Sequence, residues 1–142
     1  MDFPSNRSLS SSSSISGSSF LITLEKNLTK EIEKFCQEVR VSTFQFFMSI
    51  YTICLYRYTN QTDFVIGFPY HGRSEEFLNL MGHTVNVVPF RIQVDPNLSF
   101  LEYLKLVTKK LIEIQNYQDY PLFMILKDYL NVIKLYFLDM KF

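Results

Sequence analysis

The sequence predicts an α/β fold in which a sheet is covered, mainly on one side, by long helices. Three observations carry that reading. Apolar residues recur at the spacing of one helix face over several long stretches. Residues 64–68 (FVIGF) form a continuous apolar run, and residues 90–94 alternate apolar with polar, two signatures of strands. The segments follow one another as strand, two helices, strand, short helix, strand, long helix, helix.

Residues 1–19 end in a Ser-rich stretch that buries little apolar surface and is expected to be flexible. FLITL, residues 20–24, is a strand candidate. In NLTKEIEKFCQEV, Leu28, Ile32, Phe35 and Val39 share one helical face, with Lys30, Glu31, Lys34 and Glu38 mainly on the other. Ser42 and Gln45 have capping-box spacing, in which each side chain satisfies a free backbone N–H at a helix start. They open FQFFMSIYTICLYRY, which is apolar on most sides and is expected to be buried. After a polar turn, the 64–68 run suits a central strand covered on both faces, ended by Pro69. SEEFLNLMG reads as a short helix with Ser74 as its cap and Gly82 as its stop. Pro89 marks an edge or bulge before the alternating strand. Ser99 and Glu102 form a second capping box. The helix they open runs to about Ile114, with Leu101, Leu104, Leu111 and Ile114 on one stripe and Lys105, Lys109 and Lys110 towards solvent. Pro121 is placed to begin the last helix.

With 142 residues the chain is about one domain, and 47% hydrophobic residues suffice for a core. Fourteen basic residues balance fourteen acidic ones, which argues against nucleic acid or an anionic membrane as the main partner. Cys36 and Cys54 lie in apolar, helix-like stretches at a spacing that suits neither a disulfide scaffold nor zinc. No leader pattern is visible, and the longest apolar stretch falls short of the ~20 residues of a membrane helix. A cytoplasmic setting is expected.

Candidate site residues are few. His71 stands beside Gly72 in a turn, without an Asp or Glu at a readable spacing to orient it as a base. His83, just after Gly82, suits a helix end, and two histidines twelve positions apart make no metal signature. Arg73 either grips an anionic group or forms a structural ion pair. Asn86, in TVNVV, needs hydrogen-bond partners if buried, so it either ties down a loop or faces a ligand channel. Gln118 and Asp119, in NYQDYP, sit between two helices, where Asp119 favours the positive start of the next one. There is no phosphate-binding glycine loop, no G-x-S-x-G elbow and no paired-carboxylate motif.

Taken together, these residues resemble the condensation domains of nonribosomal peptide synthetases, acyltransferases related to chloramphenicol acetyltransferase. LMGHTVNVVPFRI is similar to the family's glycine–x–x–valine–asparagine block ending in proline–x–arginine, through Gly82, Val85, Asn86, Pro89 and Arg91. YQDYP resembles the downstream histidine–glutamine–aspartate–tyrosine–proline block through Gln118, Asp119, Tyr120 and Pro121, with Tyr117 in place of the histidine, and RYTNQTDFVIGFPYHGR resembles the run that precedes both. DFPSNRS resembles the linker before the second half of such domains. The resemblance is collinear over about residues 2 to 130 and covers the second half only. The family's double histidine followed by x–x–x–Asp–Gly does not occur here.

The resemblance implies a chloramphenicol acetyltransferase-like sandwich lobe, with a mixed sheet covered by long helices. It implies a lobe over residues 20–130 and a truncated or divergent tail over 131–142. It also implies part of a site that joins carrier-protein-bound acyl and aminoacyl thioesters into an amide, inactive alone. No catalytic residue is assigned; Asn86, Gln118, Asp119 and Arg73 are expected to line the channel or its floor. The phosphopantetheine arms belong to the partner carrier proteins, and a separate chain carrying the other half is a candidate partner. The rival expectation is a non-catalytic module that docks a carrier protein or a synthetase.

Overall fold

The computed structural model describes residues 19–70, 81–82 and 84–129. Within them lie α1 (Lys26–Val39), α2 (Thr43–Thr59), β1 (Asp63–Tyr70), β2 (Asn86–Gln93), α3 (Phe100–Gln115) and α4 (Leu122–Tyr129). The α/β class is as expected. The sheet within the described residues is one antiparallel pair, β1–β2.

The register pairs Asp63 with Gln93 and runs through to Tyr70 opposite Asn86. The Val94 N–H donates to the Thr62 carbonyl at 2.7 Å, which makes 62/94 a hydrogen-bonded pair. Pairs alternate along an antiparallel ladder, so 64/92, 66/90 and 68/88 are bonded and 67/89 and 69/87 are not. Pro69 and Pro89 both occupy the unbonded positions, where a missing N–H costs the ladder nothing. Pro69 therefore lies inside β1 instead of ending it. Gly67 is pressed for space: a Cβ there would lie 3.0 Å from Val87 Cγ1.

The bonded residues also face the helices. Phe64, Val88, Phe90 and Ile92 are buried, while Arg91 and Gln93 on the alternate positions are exposed. The core forms where Met48 and Leu55 of α2, together with Tyr103, Val107 and Leu111 of α3, meet this face. Phe90, Ile92 and Val107 are fully inaccessible, each contributing roughly 1.5–3 kcal/mol by burial. A second apolar seam joins α1 to the pair, with the Phe35, Phe46 and Phe100 ring centroids 5.8–6.4 Å apart.

Both capping boxes form as expected. The Ser42 N–H donates to Gln45 Oε1 at 2.8 Å, and the Ser99 N–H to Glu102 Oε2 at 2.9 Å. The Ser99 contacts hold the Glu102 carboxyl below its ordinary value. Arg40 and Asn60 end α1 and α2 in the left-handed conformation, at φ 57° and 55°. One polar chain is threaded through the core. Tyr103 Oη donates to Thr52 Oγ1 at 2.8 Å, and Thr52 Oγ1 donates to the Ser49 carbonyl at 2.8 Å. Burial pushes the Tyr103 hydroxyl up, so it stays a neutral donor.

Several expectations change. Residues 20–24 are irregular, with Phe20 89% exposed, because no strand among the described residues lies alongside to pair with them. β1 is buried on one face only, since the helices cover one side of the ribbon. For the same reason α2 exposes Phe47, Tyr51 and Tyr58 on the side turned away from α3 and the sheet. Leu101 is 41% exposed, and the buried stripe of α3 runs instead through Tyr103, Leu104, Val107 and Leu111. Lys110 is half-buried, whereas Lys105 and Lys109 are exposed. The short helix expected after Ser74 lies mostly outside the described residues.

On the ribbon's outer face Asp63 accepts two hydrogen bonds from Arg91, at 2.9 Å from Nε and 2.6 Å from Nη2, and one from Gln93 at 3.3 Å. The Arg91 hydrogen bonds are the main cause holding the Asp63 carboxyl below the usual range. Its contribution to stability is present above the unfolded carboxylate value of about 4 and is lost as pH falls through the lower folded-state value. In pH-dependent urea titrations, Asp63→Asn should be less stable than the parent near pH 7. The gap should close well below that unfolded value. The core chain makes a second, asymmetric prediction. Thr52→Val strands the buried Tyr103 hydroxyl and should cost about 2 kcal/mol. Tyr103→Phe leaves Thr52 donating to Ser49, so urea unfolding should show a smaller loss of about 1 kcal/mol.

Candidate functional site

The end of the ribbon where β1 finishes and β2 begins is tied to the loop between α3 and α4. Asn86 makes the tie. Its position in the ladder is an even one, so its side chain shares the helix-facing side with Val88 and Phe90. From there Nδ2 donates to the Gln118 carbonyl at 2.8 Å and to the Tyr120 carbonyl at 3.0 Å. Asn86 Oδ1 accepts from the Leu122 N–H at 3.4 Å, a longer contact at the start of α4. The amide's donors and acceptor are thus used across 32 to 36 residues of sequence. The loop-tying role is the one this geometry displays.

Beside the loop lies a cavity of about 210 Å³, bounded by the start of α2, the end of β1 and the last turns of α3. Phe44, Phe68, Val88, Leu111 and Ile114 supply its apolar wall. The Phe44 and Phe68 ring centroids are 5.7 Å apart at 60°. Gln118 also lines it, and among the described residues Gln118 Oε1 is buried without a hydrogen-bond partner.

Of the four residues singled out by sequence, Asn86 and Gln118 are brought into direct contact. Asp119 sits between the two held carbonyls with its own side chain exposed. Arg73 lies outside the described residues, as do His71 and His83. Among the described residues no cluster of three or more His, Cys, Asp or Glu is arranged for a metal. No helix among them is long and apolar enough to cross a membrane. Cys36 is buried, which pushes its thiol up, and Cys54 is exposed. Among the described residues the site is thus a loop held by hydrogen bonds beside a cavity with an apolar wall.

Sequence reasoning missed the cavity. Its walls come from α2, the ribbon and α3, and no local pattern joins Phe44 to Phe68 or Ile114. It also left Asp63 and Arg91 unpaired. Placing both on outward positions of adjoining strands, opposite in charge, was the signal available.

The condensation-domain model matches residues 1–133. Bacitracin synthase 1 of Bacillus licheniformis is 30% identical over 122 residues, 85% of this chain. Polyketide synthase PksN of Bacillus subtilis is 32% identical over 110 residues, 75% of the chain. The chain spans only 2% of each of those two proteins. Among solved structures, the condensation domain from the Monacolin K polyketide synthase MokA superposes with a TM-score of 0.71 at 25% identity. That match covers 74% of this chain and 24% of the other. The four-domain nonribosomal peptide synthetase holo-AB3403 gives a TM-score of 0.72 at 20% identity, over 75% of this chain and 8% of that one, a likeness of fold.

The tie between loop and ribbon generates a test. Asn86→Asp keeps the size but turns the donor facing two carbonyls into an acceptor. It should cost about 2 kcal/mol of local stability, about thirtyfold in opening. Hydrogen exchange at Tyr120 and Leu122 should accelerate by that factor while Phe90 and Ile92 keep their protection.

Proposed function

The chain belongs to the condensation-domain family, and from that premise we propose that residues 20–130 form one lobe of an amide-forming site. In this reading residues 1–19 are a linker and residues 131–142 a divergent tail. The substrates are an acyl or peptidyl thioester and an aminoacyl thioester, each carried on the phosphopantetheine arm of a carrier protein. The amine attacks the thioester carbonyl, the C–N bond forms, the C–S bond breaks, and the thiol leaves with the proton the amine gives up.

The observation that carries the reading is Asn86. Two sequence blocks that bear the family resemblance lie more than thirty residues apart, and Asn86 hydrogen-bonds one to the other. That contact supports a role for both blocks in shaping a single wall. In it Asn86 fixes the loop, Gln118 and Asp119 present the loop's polar groups towards the channel, and Arg73 extends the floor. Proximity and orientation are what such a wall supplies to two tethered reactants. The 142 residues contain no His-His-x-x-x-Asp-Gly sequence, so the proton-handling histidine has to come from a different stretch of polypeptide.

The test is reconstitution. The purified chain, given acyl- and aminoacyl-carrier proteins, should yield no amide product by mass spectrometry of the carrier arms. Adding a polypeptide with the first half of a condensation domain should restore product, and Asn86→Asp should then slow it about tenfold or more. Product from the chain alone would remove the need for the histidine half. Silence from a soluble, associated pair of halves would sink the proposal.

A further inference from the structure

We propose that the outward face of α2 is a self-association surface, on which a second copy of this chain packs its own α2 antiparallel to the first. The inference goes beyond amide formation and does not rest on it.

Phe44, Phe47, Tyr51, Cys54 and Tyr58 follow one another at steps of three, four, three and four residues, which sets them in one narrow stripe along the helix. All five are exposed, the four rings by 45–75%. The opposite face is already committed, with Met48 and Leu55 in the core and Thr52 bonded to Tyr103. So α2 has two faces that seek cover, and the described residues supply a partner for one. Alternating steps of three and four are those of a helix-on-helix seam, so the cover that fits is another helix.

Charge and area point to a second copy. Among the exposed residues of α2, Arg57 is the only charged one. A charged partner helix would bring ions that find almost nothing to pair with, whereas a second α2 brings the same neutral aromatic stripe. Tyr51 is the midpoint of the stripe, and a two-fold axis there sets each end against the opposite end of the other copy. At 1.5 Å per residue, the two Arg57 positions then lie about 18 Å apart along the seam, beyond the screening length of about 8 Å. A parallel pairing would bring them side by side. At about 200 Å² per ring, the exposed shares of the four rings come to about 450 Å². Ile50 and Cys54 raise this to about 500 Å² per copy, a large patch for a monomer to leave open. Two copies would bury about 1,000 Å², the low end of specific interfaces, so the dimer is a reversible one.

The test is sedimentation of the full 142-residue chain from about 5 to about 500 μM. The mass should rise from monomer to dimer and stop there. Over the same range, alkylation of Cys54 by iodoacetamide, read by peptide mass spectrometry, should slow about fivefold or more, while buried Cys36 stays slow throughout. Tyr51→Glu places two carboxylates at the axis and should leave the chain monomeric, with Cys54 fast at every concentration. Phe123→Glu removes a comparably exposed ring from α4, off the seam, and should leave the dimer unchanged.

A monomer at about 500 μM would overturn the proposal, as would a mass that climbs past the dimer. So would a dimer in which Cys54 keeps its monomer rate, a monomer in which Cys54 is already shielded, or a dimer that Phe123→Glu dissolves as readily as Tyr51→Glu. If either variant fails to fold, the mass and the Cys54 rates of the unmodified chain decide the point.

Discussion

The register of β1 against β2 is the constraint on which the rest of the structure depends. With period two along each strand, one pairing decides which residues reach the helices and which face away. It sends Phe64, Phe90 and Ile92 into the core and leaves Asp63 and Arg91 to meet on the outer face. The same parity lets two prolines sit in the ladder without losing a bond. A slip of β2 by one residue would turn Phe90 and Ile92 out of the core and Arg91 into it, parting Arg91 from Asp63. Such a slip is far outside what a marginally stable domain tolerates.

Parity also places the site. Asn86 is the first core-facing residue of β2, one step before Val88 on the helix side, so it lands against the α3–α4 loop instead of the solvent. The ribbon thereby sets the loop's position, and the loop in turn carries Gln118 to the cavity. The strength of the arrangement comes from commitment. An amide that spends donors and acceptor on a backbone it would otherwise never touch fixes a loop more narrowly than apolar contact does. The α2–α3 packing works in the same way at a distance, through the Tyr103–Thr52 hydrogen bond.

The helices were legible in the sequence because each rests on local chemistry. Ser42 with Gln45 and Ser99 with Glu102 announce their caps, and Pro121 announces the start of α4. The alternation around Arg91 gave the second strand. What misled was one-sidedness. FVIGF read as covered on both faces and the mostly apolar α2 as buried, yet among the described residues one face of β1 lies open and α2 leaves Phe47, Tyr51 and Tyr58 exposed. Hydrophobicity reports that a surface seeks cover and says nothing of which element supplies it. FLITL shows the same limit, since strand propensity has no effect without a neighbouring edge to bond. Of the site, Asn86 and Gln118 were legible as polar residues out of place, while their contact and the cavity belong to the tertiary structure.

The two prolines reach beyond the ladder they interrupt. The unbonded residues of an antiparallel pair turn their N–H groups outwards, so Pro69 removes a donor from the outer edge of β1 and Pro89 one from the outer edge of β2. Both gaps fall towards the Tyr70–Asn86 end. Outward donors persist at Asp63, Val65 and Gly67 on one edge, and at Arg91 and Gln93 on the other, with Val87 isolated beyond Pro89. The ribbon is therefore directional in its capacity to recruit further strands. Edge-to-edge stacking of copies, the start of fibril growth, has only a short and partly charged stretch to grip, and the end next to the cavity offers it least.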